Sequence, residues 1–217
     1  MLEEYLNKII NGDCLEVLSK FPDRCIDIVV TSPPYNLKKS TGNGMKNGRG
    51  GKCDIVYDVP LRQIIIWKRK GGINFNESYF LPTYEVIYLI AKKDFKLVKG
   101  ANAYGDVWEI TQELRNDHPA PFPVELVDRI VSSTNAQIIL DPFMGSGTTA
   151  VVASGLGRDF IGIEKSSQYC ERAMHRLEMN KTISEVAKFH QQFLFARNPK
   201  HNHKTKDPYE HAIKSLF

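Results

Sequence analysis

The stretch Asp141-Pro142-Phe143-Met144-Gly145-Ser146-Gly147-Thr148-Thr149 directly follows the apolar run QIIL at 137–140. The run predicts a strand that stops at the Asp-Pro pair, because proline has no N–H to give to a sheet ladder. Gly145 and Gly147 allow a tight turn on which a ligand can lie against the backbone. A helix is expected from about Thr148 to Leu156, closed by Gly157. FIGI at 160–163 reads as the next strand, ending at Glu164. A helix over 167–179 follows, with Ser166 or Ser167 as its cap. Strand, glycine turn, helix, strand and helix in that order make a crossover unit of a parallel sheet. The expected fold class is therefore α/β.

Open parallel sheets bind ligands beyond the carboxyl ends of their strands, where the glycine turn falls. The turn matches neither GxGxxG nor GxxxxGK[ST], and no lysine stands ready for a triphosphate. The carboxylate of Asp141 suits a cation such as the amino or sulfonium group of S-adenosylmethionine. Glu164, at the next strand end, is placed to accept hydrogen bonds from two ribose hydroxyls, as acids near that position do in dinucleotide folds. Asp13 follows Gly12 after a short apolar piece at 8–10 and would reach an adenine amino group if that piece lies beside the strand ending at Glu164. The plainer reading of Asp13 is a turn residue.

Upstream, a short helix is expected over 14–21, and IDIVV at 26–30 reads as a strand buried on both faces. It runs into Thr31-Ser32-Pro33-Pro34-Tyr35. Two prolines rigidify the chain and leave a row of acceptors, the Ser32 hydroxyl and the carbonyls of residues 32–34, beside the flat ring of Tyr35. Such a group fits a base that has swung out of its stack with an exocyclic NH2. Hydrogen bonds from both N–H groups would draw the nitrogen towards a tetrahedral form and turn its lone pair outward. A rigid turn is the simpler reading of Ser-Pro-Pro-Tyr taken alone. The second strand-end cluster at 141–148 raises its value. Methylation at cytosine C5 would need a cysteine nucleophile, and the chain has no Pro-Cys pair.

Further strands are expected at 61–67 (LRQIIIW) and 84–91 (YEVIYLIA), and a helix over 123–133 with Pro123 in its first turn. The strands at 26–30 and 61–67 should be parallel neighbours or near-neighbours of one sheet. Such neighbours need a crossover, normally a helix. Between them stand only the glycine-rich basic stretch GNGMKNGRGGK at 42–52 and CDIVYDVP at 53–60. Either this region is unusual or a segment is missing near 51–54, as the abrupt change of character there suggests.

The 217 residues carry a formal charge of +4, are 42% hydrophobic and 25% charged, and suit one globular domain. Cys14, Cys25, Cys53 and Cys170 show no CxxC or zinc-finger spacing, so no metal is expected and the thiols read as reduced, in a cytoplasmic protein. No secretory signal and no apolar run of membrane-spanning length is seen. The expected organisation is a domain at 1–197 and a polar tail at 198–217.

Taken together and in this order, Ser32-Pro33-Pro34-Tyr35 and DPFMGSGTT at 141–149 resemble the amino-group DNA methyltransferases of bacterial restriction–modification systems, in the permuted order of their beta-type members. The resemblance covers roughly residues 8–180. It implies a Rossmann-like, S-adenosylmethionine-dependent methyltransferase fold, with a mostly parallel sheet and helices on both faces. It implies that Ser32, Pro33, Pro34 and Tyr35 hold the target base. Asp141, Pro142, Phe143, Gly145, Gly147 and Thr148 would surround the methionine part of the cofactor, Glu164 the ribose and Asp13 the adenine. His118-Pro119-Ala120-Pro121-Phe122-Pro123 looks like the motif that closes over the methionine end, with Phe122 and Pro123 nearest.

Double-stranded DNA is the implied partner. The segments at 36–53 and 67–80 are the candidates for reading it. Lys38, Lys39, Lys46, Arg49, Lys52, Lys68 and Lys70 suit phosphates, and Arg69, Asn74 and Asn76 suit base edges. A solvated charged surface is an equal reading for any one of them. A chain of this size covers few base pairs, so it would dimerise or rely on a partner protein. Ser at position 32 occurs in the family mostly with cytosine N4 methylation, Asp with adenine N6, and cytosine is slightly favoured here. Rival classes are an RNA or protein amino-group methyltransferase and a catalytically inactive DNA-binding subunit.

Overall fold

The computed structural model describes residues 2–32, 60–69, 78, 80–112 and 123–181. Residues 1–178 form one compact unit, and 179–217 cluster separately. The first unit holds β1 (Lys8–Asn11), α1 (Cys14–Leu18), β2 (Ile28–Val29), β3 (Leu61–Lys68), β4 (Tyr84–Ile90), β5 (Val107–Glu109), α2 (Val124–Ser132), β6 (Ile138–Asp141), α3 (Thr148–Gly155) and β7 (Asp159–Glu164). A fourth helix, α4, begins at residue 167 and is described to 181.

Four strands form a parallel sheet in the order β1-β7-β6-β2. Side chains alternate across a strand, so each face of this sheet has its own set. Ile139 and Phe160 face a core with Val127 and Val131 of α2, α3 and Leu177 of α4. Leu140, Ile161 and Ile163 face the other way, onto Val17 and Leu18 of α1, Tyr5, Leu6 and Phe21. Helices on both faces and a parallel sheet make the α/β methyltransferase-like architecture expected. Helix α3 is apolar all round because it is buried from Thr148 to Ala153.

The remaining strands form a second sheet, β4-β3-β5, with β3 antiparallel to β4 and parallel to β5. Ile65, Trp67, Trp108 and Ile110 pack under it with Leu126 of α2. Ile130 of α2 touches the cores of both sheets, so one helix spans the two.

Three expectations are corrected. The segments at 26–30 and 61–67 lie in different sheets, because no described strand joins them. The strand at 26–30 is reduced to Ile28–Val29 and is not buried on both faces. Val29 is 51% exposed, since β2 is an edge strand paired only with β6 among the described residues. Pro123 stands at the N-cap of α2 with extended backbone, φ −70° and ψ 151°, one step before the first turn. The tail at 198–217 and the stretch at 42–52 lie outside the described residues.

Phe160 is 1% exposed at the centre of the parallel sheet. Phe160→Ala should cost about 3–5 kcal/mol of stability by urea unfolding. A loss under about 1 kcal/mol would mean that the sheet collapses around the missing ring at little cost.

Candidate active site

Four parallel strands bring the site together. Val30 donates its N–H to the Leu140 carbonyl at 3.0 Å, Met144 to Ile163 at 2.9 Å, and Gly12 to Glu164 at 3.0 Å. These bonds continue the ladders past the strand ends. Thr31-Ser32 after β2, Asp141 at the end of β6, Glu164 at the end of β7 and Asp13 after β1 therefore share the carboxyl edge of one sheet. Neighbouring strands are about 4.8 Å apart, so chain segments more than 100 residues distant in sequence are brought side by side.

Asp141 is fully buried. One carboxylate oxygen accepts the Phe143 N–H at 3.1 Å and the other the Thr149 hydroxyl at 2.8 Å. The acid thus ties the strand end to the turn and to the first turn of α3. Burial pushes its pKa up to about 6, against the lowering effect of those two bonds and of nearby Thr31. The Thr31 hydroxyl is buried and makes no hydrogen bond of ordinary geometry among the described residues.

The turn itself needs its glycines. Gly145 and Gly147 have φ +53° and +84°, a region that costs other residues strain. Gly147 has a second constraint: a Cβ there would stand 2.8 Å from the Ala173 Cβ and 3.1 Å from its Cα. The turn can therefore lie directly on α4. Gly147 is the N-cap of α3, whose first amides have no partner within the helix and form an anion-binding end. Arg176 of α4 adds positive charge beside it, donating to the Thr148 hydroxyl at 2.8 Å and the Ser146 hydroxyl at 3.4 Å. Met144 is buried against Gly162, where any side chain would collide with it.

Glu164 is bound through both oxygens, accepting Gly145 N–H and Ser166 N–H at 2.9 Å each. Each oxygen has two lone pairs, so one acceptor site per oxygen remains. Asp13 caps α1, accepting the Leu15 N–H at 3.0 Å, and pairs with Lys165 at 3.3 Å. The Leu15 amide first, then Lys165, hold its pKa below the ordinary value. Asn11 donates to the carbonyls of Glu164 and Lys165 at 3.0 Å, fixing the β1–β7 edge.

Of the residues singled out in the sequence, the edge of the sheet gathers Asp13, Ser32, Asp141, Pro142, Phe143, Gly145, Gly147, Thr148 and Glu164. Pro33, Pro34, Tyr35 and Phe122 lie outside the described residues, as do Lys38, Lys39, Lys46, Arg49, Lys52, Lys70, Asn74 and Asn76. Lys68 pairs with Glu109 at 3.1 Å, and Arg69 with Glu85 at 3.1 Å and the Pro82 carbonyl at 3.0 Å. Both have local uses that need no nucleic acid. Tyr104 and Trp108, in the YGDVW segment, stack under Arg129, and Trp108 is core. Sequence reading missed Thr149, Arg176, Asn11 and Lys165.

A family model described as DNA methylase matches residues 43–175, more than half of the chain. The chain belongs to the DNA methylase family. Type II methyltransferase M.BglII of Bacillus subtilis is 29% identical over 253 aligned positions, taking in 79% of this chain and 69% of the relative. Type II methyltransferase M.BamHI of Bacillus amyloliquefaciens is 27% identical, over 80% of this chain and 57% of the relative. Among solved structures, the PvuII DNA methyltransferase (cytosine-N4-specific) matches with TM-score 0.65 and 19% identity, over 77% of this chain and 85% of that one. The M1.HpyAVI–SAM complex matches with TM-score 0.61 and 24% identity, over 78% and 99%. These likenesses bear out the fold and the family resemblance. No described helix is long and apolar enough to cross a membrane.

Two predictions follow from the geometry. Gly147→Ala should destabilise the protein by about 1–3 kcal/mol in chemical denaturation, through strain at positive φ and the clash with α4. A neutral effect would mean that α4 can move away from the turn. Asp141 holds its proton in the folded protein up to about pH 6 and loses it near 3.8 when unfolded. Its contribution to stability therefore declines as pH rises from about 4 through about 6. Asp141→Asn should flatten that part of the stability–pH curve, and an unchanged slope would locate the titration elsewhere.

Proposed function

We propose that this protein transfers the methyl group of S-adenosylmethionine to the exocyclic amino nitrogen of a base in double-stranded DNA. The observation that carries the reading is the juxtaposition, on adjacent strand ends, of Thr31-Ser32 with the Asp141–Thr149 turn. It supplies what such a transfer needs: an acceptor for the amine beside a cradle for the donor.

The donor set suits S-adenosylmethionine. The α3 N-terminus, with Arg176 beside it, offers positive potential to a carboxylate. Asp141 offers negative charge to the amino or sulfonium group, and Glu164 has acceptor sites left for ribose hydroxyls. Asp13, Phe143 and Pro123 complete the cradle in this reading, with Phe122. When bound, the cofactor supplies an electrophilic methyl carbon on a positively charged sulfur.

The chain's own residues do the rest. The target base leaves the duplex, because its amine is out of reach within the stack. Ser32 Oγ accepts one N–H, and the carbonyl of Pro33 the other, while Tyr35 stacks on the ring. Those two bonds would turn the nitrogen lone pair toward the donor, and such positioning would account for much of the rate. With the cofactor bound, the amino nitrogen would take the methyl group as the carbon–sulfur bond broke, and would then release one proton. No covalent enzyme intermediate is needed.

Cytosine N4 is the favoured acceptor, since the loop begins with serine, and adenine N6 is the alternative. The basic segments at 36–53 and 67–80 are the proposed contacts to DNA, and a homodimer is the proposed grip on the duplex. The name M.BamHI, like M.BglII, is that of a Type II methyltransferase. A role in a restriction–modification system is proposed here on that likeness.

The test is incubation with duplex DNA and labelled cofactor, followed by nucleoside analysis by mass. N4-methylcytosine is expected, N6-methyladenine would reassign the base, and an unlabelled DNA pool with labelled RNA or protein would reject the substrate class. Ser32→Ala should lower kcat by about 10- to 100-fold, a few kcal/mol of transition-state stabilisation, with cofactor Kd unchanged. Asp141→Asn should instead weaken cofactor binding. Wild-type affinity should fall about tenfold at pH 5 relative to neutral pH, because the protonated acid offers no charge. Equal loss of cofactor binding in both variants would overturn this division of roles.

A further inference from the structure

Helix α4 meets the glycine turn through two residues one helical turn apart. Cys170, Ala173 and Leu177 form its buried stripe, at the spacing that keeps residues on one helix face. The glycine turn comes closest at Ala173, since a Cβ on Gly147 would stand 2.8 Å from the Ala173 Cβ. Arg176 follows one helical turn later and is partly buried. Its Nη1 donates to the Thr148 hydroxyl at 2.8 Å and to the Ser146 hydroxyl at 3.4 Å. Both hydroxyls belong to buried residues, on either side of Gly147 in the chain.

These two contacts decide where the hydroxyl hydrogens go. A guanidinium is permanently protonated and carries donors only. Each hydroxyl therefore receives Arg176 on its oxygen, and its own hydrogen turns away from the guanidinium. A donor on its oxygen also makes a hydroxyl a better donor in turn, because linked hydrogen bonds polarise one another. The next hydroxyl along the chain is set the other way. Thr149 gives its hydrogen to the Asp141 carboxylate at 2.8 Å. One short segment thus commits one hydroxyl to an acid and has two polarised by a base.

S-adenosylmethionine carries one anionic group, its carboxylate, together with an ammonium and a sulfonium. We propose that Arg176 is a positioning residue that presents the Ser146 and Thr148 hydroxyls to that carboxylate as an oriented pair of donors. The assignment rests on the cofactor lying in the cradle proposed above. Ser146 thereby joins the residues that hold the cofactor, and Arg176 acts through the two hydroxyls, without touching the ligand. Its fixed charge adds to the positive end of α3, and Asp141 remains for the cationic groups.

The test compares S-adenosylmethionine with its decarboxylated analogue, by calorimetric titration of the full chain without DNA. The wild-type chain should bind S-adenosylmethionine more tightly. Arg176→Met should weaken S-adenosylmethionine binding about tenfold and analogue binding less than about twofold, because only the first ligand carries the carboxylate. Arg176→Lys keeps the charge and the donors and should restore most of the loss. In a chain already carrying Ser146→Ala and Thr148→Val, Arg176→Met should cost little more, since the hydroxyls it acts through are gone. Equal losses for the two ligands would make Arg176 a structural prop of the turn and overturn the assignment. An undiminished loss in the chain lacking both hydroxyls would overturn it as well. If Arg176→Met does not fold, the Ser146→Ala, Thr148→Val chain serves in its place. It should discriminate less between the two ligands than wild type, and full discrimination would overturn the assignment. Failure of the wild-type chain to bind either ligand would remove the cofactor reading and this assignment together, whereas the other failures leave that reading standing.

Discussion

Strand β6 lies between β7 and β2, and the bonds from Val30 to Leu140 and from Met144 to Ile163 carry both pairings just past the strand ends. Everything else at the site hangs on that register. A one-residue slip would turn Asp141 from its buried place beside Thr149 to the opposite face, because side chains alternate along a strand. It would also separate Thr31-Ser32 from the glycine turn. The register is held by cores on both sides: Ile139 and Phe160 lock one face, Leu140 and Ile161 the other.

Asp141 shows how stability and chemistry are traded at this edge. A carboxylate buried so deeply is costly, and its raised pKa records the cost. Its two hydrogen bonds offset part of it and give the turn its shape. The remaining tendency to stay protonated is what a cationic ligand would relieve. Arg176 plays the reciprocal part at the α3 N-terminus, where the helix amides and a guanidinium gather positive charge beside the Thr148 and Ser146 hydroxyls. Two poles of opposite sign, held by one turn, suit a zwitterionic ligand better than a polyphosphate.

The two sheets are unequal in finish. Among the described residues the parallel sheet is covered by helices on both faces, whereas the second is covered on one. Helix α2 joins them, sending Val127 and Val131 one way and Leu126 the other, with Ile130 in both cores. It packs on the inner face of the second sheet. A sheet with a polar outer face would be content so, but this one alternates Tyr84, Val86, Tyr88 and Ile90 outward.

Much of the site was legible because the chemistry sits in contiguous motifs at strand ends. A strand ending in Asp-Pro, a turn that requires positive φ at Gly145 and Gly147, and a following strand ending in an acid are local patterns, dictated by backbone sterics and by the need to expose ligands at sheet edges. The strands at 61–68 and 84–90 were equally plain from apolar, β-branched composition. The sequence could not tell that Val29 would be exposed, since a buried strand and an edge strand carry the same residues. It could not assign Arg176, Asn11 or Lys165, whose partners lie a helix or a crossover away. Nor could it tell that Arg69 would be tied to Glu85. Those are outcomes of which elements become neighbours. Neighbourhood is set by the packing of whole faces against one another, and it leaves no mark at any single position of the chain.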